Sequence, residues 1–158
     1  MTGERHRNPA GSMSLQLTLA QSDSYQSLLE GKVALLEEPL LLQEHHCFQI
    51  NLILDEICTN IFENNRETEN LRIDINISWK AEKITLVIED NGIPFDPTGV
   101  DEPDTSLPLS RREAGGLGLY FVKKYTDSFT YSRIRGRNRT TVVKSLEPPN
   151  TSSTLKTS

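Results

Sequence analysis

Cysteines and long apolar runs are both scarce in this chain of 158 residues, and each scarcity excludes a class of protein. The two cysteines, Cys47 and Cys58, fall in one helical pattern, which separates them by roughly 16 Å at a rise of about 1.5 Å per residue, too far for a disulfide. No stretch approaches the roughly 20 apolar residues of a membrane span, and residues 1–14 contain no apolar segment typical of a secretory signal. We therefore expect a cytoplasmic protein of one domain, with free thiols and no membrane segment.

Basic residues are also in the minority. The chain has 17 Lys and Arg against 22 Asp and Glu, which gives a formal net charge of -5. Proteins that bind the phosphate backbone of nucleic acids usually carry a basic surface, so we expect no direct nucleic-acid partner. An anionic ligand must then be bound by local hydrogen-bond donors, such as the backbone N–H groups at a helix N-terminus.

The hydrophobic periodicity predicts a mixture of strands and helices. Alternating apolar and polar residues predict strands at 15–19, 71–79, 84–90, 128–134 and 140–146. Helical patterns cover about 22–36, 44–64 and the segment from the glycines at 115–118 to 126, while 94–112 has no sustained period and is typical of a lid-like loop. Since the two hairpins need a cover for their apolar faces, we predict an α/β (α+β) two-layer sandwich, with a mixed, mostly antiparallel sheet covered on one face by helices. We assign 14–146 to this domain, 1–13 to a disordered N-terminal extension and 147–158 to a disordered tail.

A glycine cluster stands directly before the last predicted helix. Gly115, Gly116 and Gly118 begin the segment "GGLGLYFVKKYTD", although a glycine costs a helix about 1 kcal/mol relative to alanine. The cluster is either a flexible entry to the helix or an anion cradle, in which backbone N–H groups face a phosphate. The spacing alone leaves both interpretations open.

A polar stripe follows one side of the longest predicted helix. Glu56, Asn60 and Asn64 are four residues apart and share one face, while most of their neighbours are apolar. The stripe is either the solvated side of an amphipathic helix or the wall of a polar site. In a site, a carboxamide oxygen suits Mg²⁺, and a carboxylate one turn away can polarise a hydroxyl that attacks a γ-phosphate.

Three segments in the same order resemble a known family. "DEICTNIFEN", "EDNGIPFDP" and "GGLGLYFVKKYTD" are similar to the N box and the two glycine boxes of the GHKL ATPases, which have the Bergerat nucleotide-binding fold. The last two segments and the hairpin "GRNRTTVVKSL" more narrowly resemble the anti-sigma-factor serine/threonine kinases of bacterial partner-switching systems. The resemblance covers roughly 14–146. It implies ATP and Mg²⁺ as cofactors and an anti-sigma-factor antagonist of the STAS type as protein substrate, and it suggests a sigma factor and a homodimer as further associations.

The resemblance also implies a role for each matching residue. Glu56 matches the glutamate proposed as the general base, Asn60 matches the asparagine that coordinates Mg²⁺, and Asp90 matches the aspartate that accepts a hydrogen bond from the adenine amino group. Under this resemblance the glycines make room for the phosphates of ATP. The residues expected to contact other parts of ATP are Asn64, Gly92, Pro94, Phe95, Gly115, Gly116, Leu117, Gly118 and Leu119.

Several positions keep two interpretations. Arg111 and Arg112 precede the glycines and either reach the γ-phosphate or form a solvated basic pair. The four arginines of the last hairpin favour a solvated tip, with partner or phosphate contact as the alternative; they are Arg133, Arg135, Arg137 and Arg139. The end of the N box, Asn64-Asn65-Arg66, departs from the His or Tyr of many members. A non-catalytic, nucleotide-gated binding switch therefore stays open as an alternative function, and a detached histidine-kinase-like ATPase domain ranks below it.

Overall fold

The computed structural model describes residues 10–40, 42–99 and 116–146, apart from the side chains of Pro39 and Leu117. Its strands are β1 (Ala10–Thr18), β2 (Arg72–Lys80), β3 (Lys83–Asp90), β4 (Ser128–Ile134) and β5 (Arg137–Ser145). Its helices are α1 (Tyr25–Ala34), the short α2 (Glu37–Leu40), α3 (Glu44–Asn64) and α4 (Gly116–Tyr125), with single 3-10 turns at Leu19–Gln21 and Pro97–Gly99. Within these ranges no helix is both long and apolar enough to cross a membrane.

The five strands form one antiparallel sheet in the order β1-β2-β3-β5-β4. The strands β4 and β5 are joined by a two-residue turn, Arg135-Gly136, whose φ angles of +52° and +75° suit the tight hairpin turn that matches the twist of a sheet. Because the sheet is antiparallel and the described helices lie on one of its faces, the predicted two-layer α/β fold is confirmed.

The core lies between the sheet and α3. Successive side chains of a strand point to opposite faces, so every second residue of β2 and β3 faces the helices. The buried positions are Ile73, Ile75, Ile77 and Trp79 in β2 and Ile84, Leu86 and Ile88 in β3. The apolar residues of α3 pack against them, among them Ile50, Ile53, Leu54, Ile57 and Ile61. The alternation in β3 continues to Asp90, which places this carboxylate on the same buried face.

The first strand is longer than predicted and shows that the predicted N-terminal boundary was wrong. Residues 10–13, assigned above to a disordered extension, belong to β1, and the pairing with β2 extends to Ala10 opposite Lys80. The apolar signal there is weak because the inward position is Gly11, where a Cβ would overlap the Trp79 indole. The first helix is shorter than predicted, at Tyr25–Ala34, whereas the helix at 44–64 and the strand at 128–134 are confirmed at their predicted bounds.

Most of the predicted lid and the predicted tail lie outside the described residues. The segments 1–9, 100–115 and 147–158 are among them. The predicted site residues Arg111, Arg112 and Gly115 fall in these segments, and the side chain of Leu117, in α4, is also outside the description. Their assigned roles stay predictions.

Candidate functional site

A narrow pocket lies between α3 and the end of the sheet. Its apolar walls come from α3, from the turn after β3 and from the 3-10 turn, and they include Ile57, Ile61, Ile93, Phe95 and Pro97. Polar side chains line the rest of it: Asn60, Asn64, Asn65, Asp90, Asn138 and Thr140. The space that a water molecule can reach inside is about 10 Å³, which is room for about one water. A planar base is larger than this space, so a wall of the pocket has to move before a base can enter.

Asp90 supplies a buried acceptor in this pocket. Its side chain is only 3% exposed, and its Oδ1 accepts hydrogen bonds from the Gly92 N–H and from Asn138 Nδ2, both at 2.9 Å. Burial raises the pKa of Asp90 above its ordinary value, although these two hydrogen bonds and the nearby Arg133 and Arg137 charges oppose that effect. A buried carboxylate accepts but does not donate when ionised, which fits the exocyclic amino group of a purine.

The turn after Asp90 is held by two buried asparagines. Asn65, the residue that follows α3, accepts a hydrogen bond from the Ile93 N–H at 2.9 Å. Asn138 donates to the Ile93 carbonyl oxygen at 2.7 Å. Gly92 has to be glycine at this position, because a Cβ there would overlap the Asn65 carboxamide. Pro94 follows on the surface as the start of the segment that closes the pocket.

Glu56 lies against the first turn of α4. A Cβ built on Gly118 would overlap the Glu56 carboxylate, so the missing side chain of this glycine makes room for Glu56. The carboxylate is half-buried beside the positive end of a helix that begins at Gly116. Burial raises the pKa of Glu56, and the negative charges of Asp55 and Glu63 raise it further. Two segments more than fifty residues apart in the chain are thus brought into direct contact.

Asn60 and Asn64 line the same pocket from α3. The Asn60 Nδ2 donates to the Glu56 carbonyl oxygen at 2.7 Å, which directs the amide nitrogen along the helix and leaves Oδ1 as the group that can bind a ligand. Asn64 is exposed at the last residue of the helix. No cluster of three or more His, Cys, Asp or Glu that could bind a metal occurs in the described part of the chain, so a metal there would depend on the Asn60 oxygen, phosphate oxygens and water.

Gly116 and Leu119, the other described residues of α4 that are predicted to contact ATP, offer backbone groups to a ligand. Gly116 is the first residue of the helix, where backbone N–H groups are without helical acceptors. Leu119 is 2% exposed, so its side chain is buried and only its backbone is available to a ligand.

Three of the four hairpin arginines bind groups of the protein itself. Arg137 and Arg139 lie in β5, where they pair with Asp74 and Glu89 on the open face of the sheet, each at 2.6 Å. Arg133 donates to Asn138 Oδ1 at 2.9 Å and to the Gly92 carbonyl oxygen at 3.3 Å. Arg133 and Arg139 stay exposed while they make these contacts, Arg137 is half-buried, and Arg135 lies in the turn.

The arrangement suits a purine nucleotide. A buried acceptor and apolar walls at one end fit a base, and a helix N-terminus beside a carboxylate at the other end fits phosphates near a proton acceptor. The profile of the family described as "Histidine kinase-like ATPase domain" matches residues 7–144. The chain belongs to this family. The match confirms the resemblance to the GHKL-type ATPases, and ATP binding follows from the family.

A curated relative supports the same assignment. The chain is 26% identical over 102 residues to the serine/threonine-protein kinase BtrW of Bordetella bronchiseptica. The aligned region covers 64% of this chain and 72% of BtrW. This chain is therefore a histidine kinase-like ATPase domain with similarity to a protein kinase that acts on serine or threonine.

Sequence reasoning missed three polar residues of the pocket, which are Asn65, Asn138 and Thr140, and the apolar residues Ile57, Ile61 and Ile93. Asn138 was placed in the hairpin turn, but it lies in β5 directly opposite Asp90. The alternation of β5 indicates that Asn138 and Thr140 face the core, since they lie on the same face of the strand as Val142. That signal required the pairing of β3 with β5, which are not consecutive in the chain.

Proposed function

We propose that this protein is a cytoplasmic, ATP-dependent serine/threonine protein kinase of the anti-sigma-factor type. The observation that carries the proposal is the contact between Glu56 and Gly118, which places a carboxylate at the helix N-terminus expected to bind the phosphates. The similarity to BtrW, whose name describes a serine/threonine-protein kinase, supports the choice of acceptor.

The chemistry requires a base and a site for the phosphates. Glu56 takes the proton of a serine or threonine hydroxyl, the hydroxyl oxygen forms a bond to the γ-phosphorus, and the bond from that phosphorus to the β–γ bridging oxygen breaks, so that ADP leaves. The raised pKa of Glu56 makes it a stronger base than an ordinary glutamate. Asn60 is the residue that would hold Mg²⁺, which supplies positive charge to the phosphates.

The protein substrate that we propose is an anti-sigma-factor antagonist of the STAS type. A sigma factor and a second copy of the chain are further partners under the same proposal. They rest on the resemblance to the partner-switching kinases.

The test is transfer of labelled γ-phosphate from Mg-ATP to an anti-sigma-factor antagonist of the STAS type. We compare wild type with Glu56→Gln and with Glu69→Gln, an exposed glutamate outside the pocket. We expect Glu56→Gln to reduce transfer by at least about 100-fold while ATP binding persists, and Glu69→Gln to transfer at the wild-type rate. Unchanged transfer in Glu56→Gln would overturn the role of Glu56.

The nearly closed pocket favours a nucleotide-gated switch as second candidate. Because a base enters only when a wall of the pocket moves, binding of nucleotide must change the surface around the pocket. This candidate predicts tight ATP binding, a partner affinity that depends on nucleotide, and no transfer.

The acid stability of any phosphorylated product distinguishes the serine/threonine kinase from a histidine-kinase-like domain. Phosphoserine survives acid, whereas the phosphohistidine formed by a histidine-kinase-like domain does not.

A further inference from the structure

Asn138 is a buried amide with all of its hydrogen-bonding groups engaged. The residue is 3% exposed. Its Nδ2 donates to Asp90 Oδ1 at 2.9 Å and to the Ile93 carbonyl oxygen at 2.7 Å. Its Oδ1 accepts from the Tyr131 hydroxyl at 2.6 Å and from Arg133 Nη1 at 2.9 Å. These partners fix which end of the amide faces Asp90, because a rotation by 180° would place two oxygens together and the amide nitrogen against two donors.

The sheet register brings these groups together. Asp90, Asn138 and Arg133 are direct neighbours across β3, β5 and β4, and all three lie on the face that the helices cover. A row of this kind is rigid because each member is fixed by the backbone ladder of its strand. The Asn138 amide therefore has a fixed position relative to the Asp90 carboxylate.

The hydrogen bonds leave one side of Asp90 for a ligand. Among the described residues, both bonds to this carboxylate end on Oδ1, from Asn138 and from Gly92. Two donors on one oxygen fix the rotation of the carboxylate, and Oδ2 is then the acceptor left to the pocket. Without Asn138, a single backbone donor would hold the carboxylate and it could turn.

We propose that Asn138 is a positioning residue for base recognition, which aims Asp90 Oδ2 at the exocyclic amino group of a 6-aminopurine. The proposal rests on the proposed function, since it needs ATP as the ligand. A purely structural Asn138 would stabilise the hairpin without influencing which base is bound.

The test separates these roles by base selectivity. We measure, by calorimetry with Mg²⁺, the affinities for ATP and for purine riboside triphosphate, which lacks the 6-amino group. Wild type should prefer ATP by about 10- to 100-fold, because a base without the amino group leaves Asp90 Oδ2 without a donor. In Asn138→Ala the preference should fall below about 3-fold. Asn76→Ala, an exposed asparagine on β2, should keep the wild-type ratio.

The remaining outcomes are also decisive. If Asn138→Ala weakens both ligands equally and the ratio holds, the residue is structural and the proposal is overturned. If Asn138→Ala loses cooperative melting, we use Asn138→Ser in its place, because the serine hydroxyl is polar but too short to reach Asp90. If both variants fail to fold, Asn138 is a residue of stability and the proposal is likewise overturned. A wild type that binds neither nucleotide would instead contradict the proposed function.

Discussion

Asn65 and Asn138 bind the two polar backbone groups of one residue, Ile93. The Asn65 Oδ1 accepts from its N–H at 2.9 Å, and the Asn138 Nδ2 donates to its carbonyl oxygen at 2.7 Å. Asn65 belongs to the helical layer and Asn138 to the sheet, so the turn between Asp90 and Ile93 is held from both layers of the fold. This turn has left the strand ladder, and side-chain amides replace the backbone partners that it would otherwise lack.

Asn65→Ala should destabilise the protein. Asn65 is buried, donates to the Ile61 carbonyl oxygen and accepts from Ile93 N–H and from the Thr68 hydroxyl. Its loss leaves buried groups unpartnered, which we expect to lower the free energy of unfolding by about 2 kcal/mol in urea titration. The matched control is Asn64→Ala, at the exposed neighbouring residue, which should change the free energy of unfolding by less than about 0.5 kcal/mol. Equal effects of the two variants would show that the hydrogen bonds of the Asn65 side chain contribute no stability.

Gly118→Ala should impair transfer without unfolding the protein. The added methyl group overlaps the Glu56 carboxylate, which is the flexible end of its side chain and can swing away. We expect phosphate transfer to fall at least about 10-fold, while the free energy of unfolding stays within about 1 kcal/mol of wild type. In Gly31→Ala, on α1, the methyl group meets open space, so stability should rise by about 0.5–1 kcal/mol with transfer unchanged. Wild-type transfer in Gly118→Ala would contradict the contact.

Asp90→Asn should separate stability from ligand binding. The raised pKa of Asp90 means that its ionised form is disfavoured in the folded state, so ionisation costs stability at neutral pH. An asparagine keeps an acceptor for Gly92 and Asn138 and removes that cost. We expect a Tm at pH 7 equal to or above wild type, and an advantage that shrinks as the pH falls through the raised pKa towards the ordinary 3.8. ATP affinity should fall at least about 10-fold; a lower Tm at pH 7 together with intact affinity would refute both halves of the argument.

The pH dependence of transfer should report Glu56. A general base must be deprotonated, so the rate at saturating ATP should decline on the acid side through a pKa above the ordinary 4.5. Burial is the main cause of that rise, and Glu63 adds to it, so Glu63→Gln should move the decline to lower pH. The measurement is the transfer rate as a function of pH for wild type and for Glu63→Gln. A decline at or below the ordinary value would exclude Glu56 as the titrating group.

Local patterns in the sequence predicted the elements but not their neighbours. The 3.6-residue period defined α3 at 44–64, and strict alternation defined β2 and β3, because each pattern is complete within one element. The pairing of β3 with β5 joins segments about fifty residues apart, and no local pattern encodes it. Asp90 could therefore be recognised from its own motif, whereas its partner Asn138 could not.

The arginines show how a turn of unknown length misleads. The sequence predicts a four-residue turn at 135–138 and a last strand that begins at 140, which leaves Arg137 and Arg139 outside the strand. The turn has two residues, so both arginines lie in β5 on the open face, where Asp74 and Glu89 neutralise them. Burial pushes the pKa of Asp74 up, but hydrogen bonds from Arg137, Gln16 and Arg72 together lower it below its ordinary value.

The two-residue turn at Arg135-Gly136 also restricts how this protein can diverge. Exposed hairpin tips are ordinarily where homologous chains gain or lose residues at little cost. Here one added residue that shifts the β4–β5 pairing would exchange the faces of the edge strand β4, because β5 is also held by β3, and it would turn Tyr131 and Arg133 away from Asn138. Insertions at this surface tip should consequently be as rare among functional descendants as changes to the buried aspartate itself.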